Sequence, residues 1–271
     1  MHNVLRYLAI CAHPDDMEIG MGGTLIKLSK AGNKVKIVSL TNGNAGHYEM
    51  LPAELAARRK KEAERVSEYA ALSSYEIWDI NDGYLDVNVD NRKRLIRAIR
   101  EFAPDVLFTF RLWDYHPDHR ATSQLAQDAS YLVTVPMFCQ ESPVPDKLPI
   151  ILMTYDEFTT PCVFKPSIAV MTDDVIDAKV QMMAFHESQF FEWLAYDRYS
   201  LASVPQDLKD RLKWLKNVWL KWDVRQADKY RRLLVSRYGK AAEKCIYAES
   251  FELSEYGRMP EPNELNGLLP L

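Results

Sequence analysis

Residues 7–23 read YLAICAHPDDMEIGMGG. The apolar run Tyr7–Ala12 stops at His13-Pro14-Asp15-Asp16, and Glu18, Gly20, Gly22 and Gly23 follow. A short apolar run bounded by turn residues reads as a buried strand, and the glycine-containing segment after it reads as the start of a helix. Ligand-type side chains therefore lie where a strand hands over to a helix. The spacing Gly20-x-Gly22-Gly23 does not match the G-x-G-x-x-G turn of dinucleotide-binding domains, and the HPDD residues already fill the turn. Taken alone, HPDD also fits a polar turn in which Asp15 or Asp16 caps a helix, with the glycines forming a phosphate-binding turn.

Outward from this point, apolar runs alternate with amphipathic segments. Tyr7–Ala12, Val35–Leu40, Tyr75–Ile80, Asp105–Phe110, Pro149–Thr154 and Ser167–Met171 read as strands; Gly23–Ala31, Pro52–Leu72, Asn91–Phe102 and His119–Leu132 read as helices. That alternation predicts an α/β fold: a Rossmann-like, doubly wound, mostly parallel sheet with helices on both faces. From about residue 173 the pattern turns mostly helical, first Asp173–Ser188 and then one long segment from Gln206 to about Arg237 that ends at Gly239. No linker marks a second domain, so the expectation is one domain over 1–271, an α/β core (1–172) with a helical C-terminal extension (173–271). The proline-rich stretch Val133–Pro149 reads as an irregular loop and a candidate substrate-site loop, and the tail from Pro260 as partly mobile.

The chain has 271 residues with 34 Lys+Arg against 38 Asp+Glu, which is ample for a core and gives no overall attraction to nucleic acid or an anionic membrane. The N-terminal apolar stretch is too short for a signal-peptide core, and nothing approaches the roughly 20 apolar residues of a membrane span. Cys11, Cys139, Cys162 and Cys245 are scattered, without C-x-x-C spacing, so no disulfide framework or structural zinc site is indicated. A cytoplasmic protein is the expectation.

A second polar cluster follows the fourth strand: Asp114-Tyr115-His116-Pro117-Asp118-His119. Three of the six histidines thus fall in two turns, both at carboxyl ends of strands, where open α/β sheets place their ligands. Pro117 as a first-turn proline with solvated histidines is the plain alternative. If the first and fourth strands are neighbours, the two turns meet. Two imidazoles and one carboxylate with an open position form the pattern of a catalytic zinc site; Fe(II) fits the same donors. A metal there acidifies water and polarises a carbonyl, chemistry suited to hydrolysing an amide or ester.

The segments A-H-P-D-D-x-E-x-G-x-G-G at Ala12–Gly23, D-x-H-P-D-H at Asp114–His119 and T-N-G at Thr41–Gly43 resemble the PIG-L/LmbE family of zinc-dependent N-acetylglucosamine deacetylases. So do R-x-x-E-A at Arg59–Ala63, D-G-x-L at Asp82–Leu85, H-x-S-Q at His186–Gln189 and A-E-S-F near the C-terminus. The resemblance implies His13, Asp16 and His119 as metal ligands, Asp15 as general base, and His116 as oxyanion stabiliser or acid. Asp114 is then expected to pair with His116 and keep it charged near neutrality, or to cap a helix. Arg59 is expected to face the substrate and hold an anionic aglycone group, with a solvated helix arginine as the alternative. Asn42 and Asp82 are candidates for hydroxyl recognition, or turn residues. His186 is read as a rim or structural histidine.

The implied activity is hydrolysis of an N-acetylglucosaminyl or related amino-sugar compound, a small-molecule glycoside, to acetate and a free amine. A metal-dependent hydrolase of a non-sugar amide and a non-catalytic sugar-binding protein are the competing readings; intact Asp15 and His116 speak against the latter. Leu212, Leu215, Trp219 and Trp222 recur at helical spacing among lysines and arginines. They read as a core-facing stripe, with a homo-oligomer contact as the alternative.

Overall fold

The structure is a computed structural model and describes residues 4–261 and 263–269. Seven strands form one sheet in the order β3-β2-β1-β4-β5-β7-β6. They are β1 (Arg6–Cys11), β2 (Lys34–Ser39), β3 (Ser74–Ile77), β4 (Val106–Thr109), β5 (Ile150–Thr154), β6 (Ile168–Met171) and β7 (Ala248–Leu253). β1–β5 are mutually parallel, and β7 runs antiparallel to both neighbours, β5 and β6. The strand order reverses between β1 and β4, which pair from Tyr7 with Val106 to Ala9 with Phe108. The two polar turns that follow these strands are therefore adjacent.

Alternation along β1 builds a core on each face. Tyr7, Ala9 and Cys11 pack with residues of α1 (Asp16–Lys30), α2 (Pro52–Tyr69) and α5 (Ile176–Ala184); Leu8 and Ile10 pack with α3 (Val89–Phe102) and α4 (Pro117–Leu132). α1 starts seven residues earlier than its sequence pattern suggested, because it contains a kink at Met21.

The C-terminal part differs from the expectation in two ways. The predicted long helix is three: α7 (Leu208–Trp219), α8 (Lys221–Lys229) and α9 (Arg231–Tyr238), broken at Leu220 and Tyr230, after α6 (Leu194–Arg198). The part is also not purely helical, since β7 inserts between β5 and β6. Lys179 of α5 is fully buried between Asp223 of α8 (2.5 Å) and Glu249 of β7 (2.8 Å). Glu249 also accepts from the Gly23 and Thr24 amides and the Thr24 hydroxyl, tying α1 to the same point. A Cβ on Gly23 would lie 2.6 Å from Thr172, so this approach requires glycine.

The loop 133–149 connects α4 to the amino end of β5, opposite the end where ligands bind, and it does not line the site cavity. Buried Arg100 holds it by donating to the carbonyls of Leu132, Val133, Val135, Phe138, Cys139 and Ser142. The tail is docked where it is described: α10 (Glu264–Leu268) accepts the Tyr7 hydroxyl at the Leu268 carbonyl, and Leu269 is buried. Pro262, Pro270 and Leu271 lie outside the described residues. No helix among the described residues is long and apolar enough to cross a membrane.

Candidate active site and metal centre

His13 follows β1, and Asp16 opens α1. The Asp16 carboxylate turns back to accept from the amides of Ala12 (3.1 Å) and His13 (2.7 Å). The turn is thereby fixed with a carboxylate at its centre. Asp15, between them, adopts φ 143°, a region that side chains with a Cβ rarely enter. Such conformations cost about 1–3 kcal/mol and persist where surrounding contacts impose them. The contact here is Arg59, buried on α2, which donates to the carbonyls of Pro14 and Gly43 and lies 3.1 Å from Asp15 Oδ1. A Cβ on Gly43 would fall 2.1 Å from the guanidinium, so the glycine makes room for it.

His116 is the N-cap of α4, and His119 sits in its first turn. The imidazoles of His13, His116 and His119 converge, with ligand atoms all within 4.8 Å of one another. Each of the outer pair is held from behind by a carboxylate. His13 Nε2 faces Asp118 (3.2 Å) and Asp82 (3.1 Å); His119 Nδ1 faces Asp114 (3.1 Å). Their remaining nitrogens, His13 Nδ1 and His119 Nε2, lie 3.6 Å and 3.3 Å from the two oxygens of Asp16. Carboxylate-anchored imidazoles with the free nitrogens turned inward onto a third carboxylate are the donor arrangement of a divalent metal site, so these residues fit the metal that the resemblance implies. His13, Asp82 and Asp118 also cluster, but Asp118 spends its oxygens on the Gly83 and Leu85 amides and serves as an anchor.

The electrostatics follow the contacts. Burial pushes the His13 pKa down, but the hydrogen bonds to Asp118, Asp16 and Asp82 outweigh it and hold it well above the usual value. Burial likewise opposes charge on His119, and Asp16 and Asp114 lift it to about 9. Burial pushes Asp16 up, yet His119 and His13 hold it well below the usual carboxylate range. Asp15 moves the other way: burial raises it to about 6 against the lowering pull of Arg59.

One expectation is corrected. Asp114 does not pair with the His116 ring; its Oδ2 holds His119 and its Oδ1 accepts from the His116 amide. His116 is instead pulled below the usual histidine value by burial and by its imidazole neighbours. Its Nδ1 accepts from the Asp118 amide (3.2 Å), so the neutral ring carries its proton on Nε2. Arg59 and Asp82 line the cavity, Arg59 paired with Asp15 and Asp82 with His13. Asn42 is a buried turn residue, bonded to Asp79 and the Asn44 amide.

Sequence reasoning missed three features. Asp118, the middle acid of HPDH, is the anchor of His13. Glu18 is buried and bonded to His186 at 2.8 Å, which places His186 in the interior rather than at the rim. The π-helical turn Ser188–Trp193 brings Gln189 and Trp193 to the cavity, a placement with no periodic signal in the sequence. The cavity is about 520 Å³, and Trp219 and Trp222 line it, so the aromatic stripe of the C-terminal helices is in part a site wall.

Comparison with known proteins agrees with this geometry. A family profile described as PIG-L, GlcNAc-PI de-N-acetylase, matches residues 8–130. Diacetylchitobiose deacetylase of Thermococcus kodakarensis is 31% identical over 205 residues, covering 73% of this chain and 76% of the relative. The N,N'-diacetylchitobiose deacetylase structure from Pyrococcus horikoshii superposes with a TM-score of 0.69 at 26% identity, covering 94% of this chain and 85% of that one. A 4-carboxy-2-hydroxymuconate hydratase from Pseudomonas putida gives 0.71 at 20% identity over 95% and 99%, a likeness of fold alone. With both histidine turns inside the profile and a relative 31% identical over 73% of this chain, the chain belongs to the PIG-L de-N-acetylase family.

Proposed function

We propose that this protein hydrolyses the N-acetyl amide of an N-acetylglucosaminyl or related amino-sugar compound, releasing acetate and a free amine. The observation that carries the reading is the position of Asp15: a strained, buried carboxylate beside a His13–Asp16–His119 group, at the wall of a cavity large enough for a sugar. Family membership supports it, since the relatives named above act on diacetylchitobiose by the wording of their names.

In this reading His13, Asp16 and His119 hold a divalent cation, Zn²⁺ by donor chemistry, with Fe²⁺ accepted by the same set. When bound, the cation acidifies water and polarises the amide carbonyl. Asp15 takes the proton of the attacking water; a value of about 6 leaves it mostly ionised at neutral pH yet basic enough to accept. The water oxygen bonds to the acetyl carbon while His116 offers its Nε2 proton to the carbonyl oxygen, where negative charge develops. The C–N bond then breaks as the nitrogen takes up the proton held by Asp15, which returns Asp15 to its ionised form, and acetate leaves. His116 needs no positive charge for this, only the tautomer its Nδ1 contact selects.

The test is amine release from a panel of N-acetylglucosaminides and non-sugar acetamides, followed with an amine-reactive dye. Release confined to the sugars supports the proposal; release confined to the non-sugar amides contradicts it.

A further inference from the structure

The glycines of α1 differ in what holds them. A Cβ on Gly22 would fall 3.0 Å from Met182 and one on Gly23 2.6 Å from Thr172, so packing leaves little or no room for a side chain at either. At Gly20 the nearest atoms are Cβ and Cγ2 of Thr154, both at 3.8 Å, which is ordinary contact, and its φ is not positive. Neither sterics nor backbone conformation requires glycine there. Gly20 instead lies on the cavity, one turn after Asp16, and its bare Cα opens the floor beside the metal-binding group.

The floor so opened is apolar. Thr154, at the end of β5, turns its hydroxyl to the Thr109 carbonyl (3.4 Å), and its methyl faces Gly20. Phe110, just after β4, stacks on the His119 ring at 4.5 Å and 11°. Trp219 and Trp222 continue the lining of the same cavity. Arg111 and Arg225, set into this wall, are paired with Asp156 at 2.9 Å and Glu157 at 3.1 Å. The wall that follows β1 to β3 is polar: it presents Asp15, Asp82 and Gln189, the last held to the Gly46 carbonyl at 3.1 Å.

An N-acylated amino sugar is divided in the same way, with hydroxyls on one side of the amide and a hydrocarbon chain on the other. With the amide at the His13–Asp16–His119 group, the polar wall takes the sugar and the acyl chain points to the floor at Gly20. That floor has room for more than a methyl group, because the cavity continues to the aromatic wall of the C-terminal helices. We propose that this protein also hydrolyses amino sugars whose N-acyl chain is longer than acetyl, with Gly20 setting the length accepted. The inference rests on the deacetylase reading for the placement of the amide. The bonds exchanged are unchanged: the water oxygen joins the acyl carbon, the C–N bond breaks, and the products are a longer carboxylate and the free amine.

The test measures kcat/KM for amine release from the methyl glycosides of N-acetyl- and N-butanoylglucosamine, beside the butyl glycoside of N-acetylglucosamine, which carries added carbons on the aglycone instead. One buried methylene is worth about fourfold, so the butanoyl compound is expected to exceed the acetyl one by about 4–15-fold. Gly20→Val fills the floor and is expected to lower the butanoyl-to-acetyl ratio at least about tenfold, with Gly20→Ala part of the way. Met137→Ala, on the loop 133–149 away from the cavity, leaves the ratio intact. The ratio is taken within each variant, so a smaller folded fraction does not move it. A wild-type ratio of one or less, a ratio that Gly20→Val leaves unchanged, or a gain confined to the butyl glycoside overturns the proposal. Binding of the same compounds to Asp15→Ala protein by titration calorimetry separates the two claims. Tighter binding of the butanoyl compound without amine release from any of them by the wild type contradicts the deacetylase reading alone, and amine release from the acetyl compound without butanoyl preference contradicts the acyl floor alone.

Discussion

Arg59 Nη2 lies 3.1 Å from Asp15 Oδ1, and both side chains are buried. An arginine that its sequence context offers as a substrate contact lies against a buried carboxylate and favours its ionised form. The same guanidinium fixes the Pro14 and Gly43 carbonyls, so it also holds the turn that strains Asp15.

Removing that guanidinium leaves burial unopposed. In Arg59→Met the Asp15 acidity weakens, and the acid limb of the kcat–pH profile moves to higher pH. Below the new pKa, kcat falls about tenfold for each tenfold loss of acidity. Arg59→Lys restores part of it. A profile that keeps its acid limb in Arg59→Met excludes this role.

The carboxylates behind the imidazoles set the grip on the metal. Asp118→Asn and Asp114→Asn are each expected to weaken metal affinity by about 10–100-fold while the chain stays folded, measured by chelator competition. Unchanged affinity in both would show that the imidazoles need no orientation.

Much of this was legible in the sequence. Six of the seven strands stand out as apolar runs, and the two histidine turns identify the site because β1 and β4 flank the strand-order reversal. β7 was not legible, because Glu249 and Glu252 interrupt the apolar residues of AESFEL, and the burial of Glu249 depends on partners far along the chain. The partner of Asp114 was misassigned, and the pairing of Arg59 with Asp15 was not foreseen, for a related reason. Residue type and spacing place a carboxylate or guanidinium at a site, but which neighbour it satisfies is decided by tertiary geometry. The break of the C-terminal helix at Leu220 and Tyr230 has no proline or glycine to announce it.

The buried Lys179 joins α5, α8 and β7 through Asp223 and Glu249. Lys179→Met leaves two buried carboxylates facing each other, with an expected loss of about 3–5 kcal/mol in chemical denaturation. A loss below about 1 kcal/mol would mean that the carboxylates find other partners or take up protons without cost.

His186 gives stability a pH dependence. Burial lowers its pKa, but Glu18 outweighs burial and holds the folded-state value above the usual 6.5. Because the folded value is the raised one, its contribution is fully present below about pH 6.5 and is lost as pH rises through the folded pKa. The stability gap between wild type and His186→Phe should therefore narrow with rising pH in urea titrations. A gap independent of pH contradicts the charged pair.

The most direct test of the central claim is to measure metal content and amine release together for wild type, Asp15→Ala and His13→Ala. Asp15→Ala is expected to keep its metal and lose about 10²–10⁴-fold in turnover, whereas His13→Ala is expected to lose the metal itself. Equal metal loss in both would make Asp15 a ligand, and full turnover in metal-loaded Asp15→Ala would place the base elsewhere.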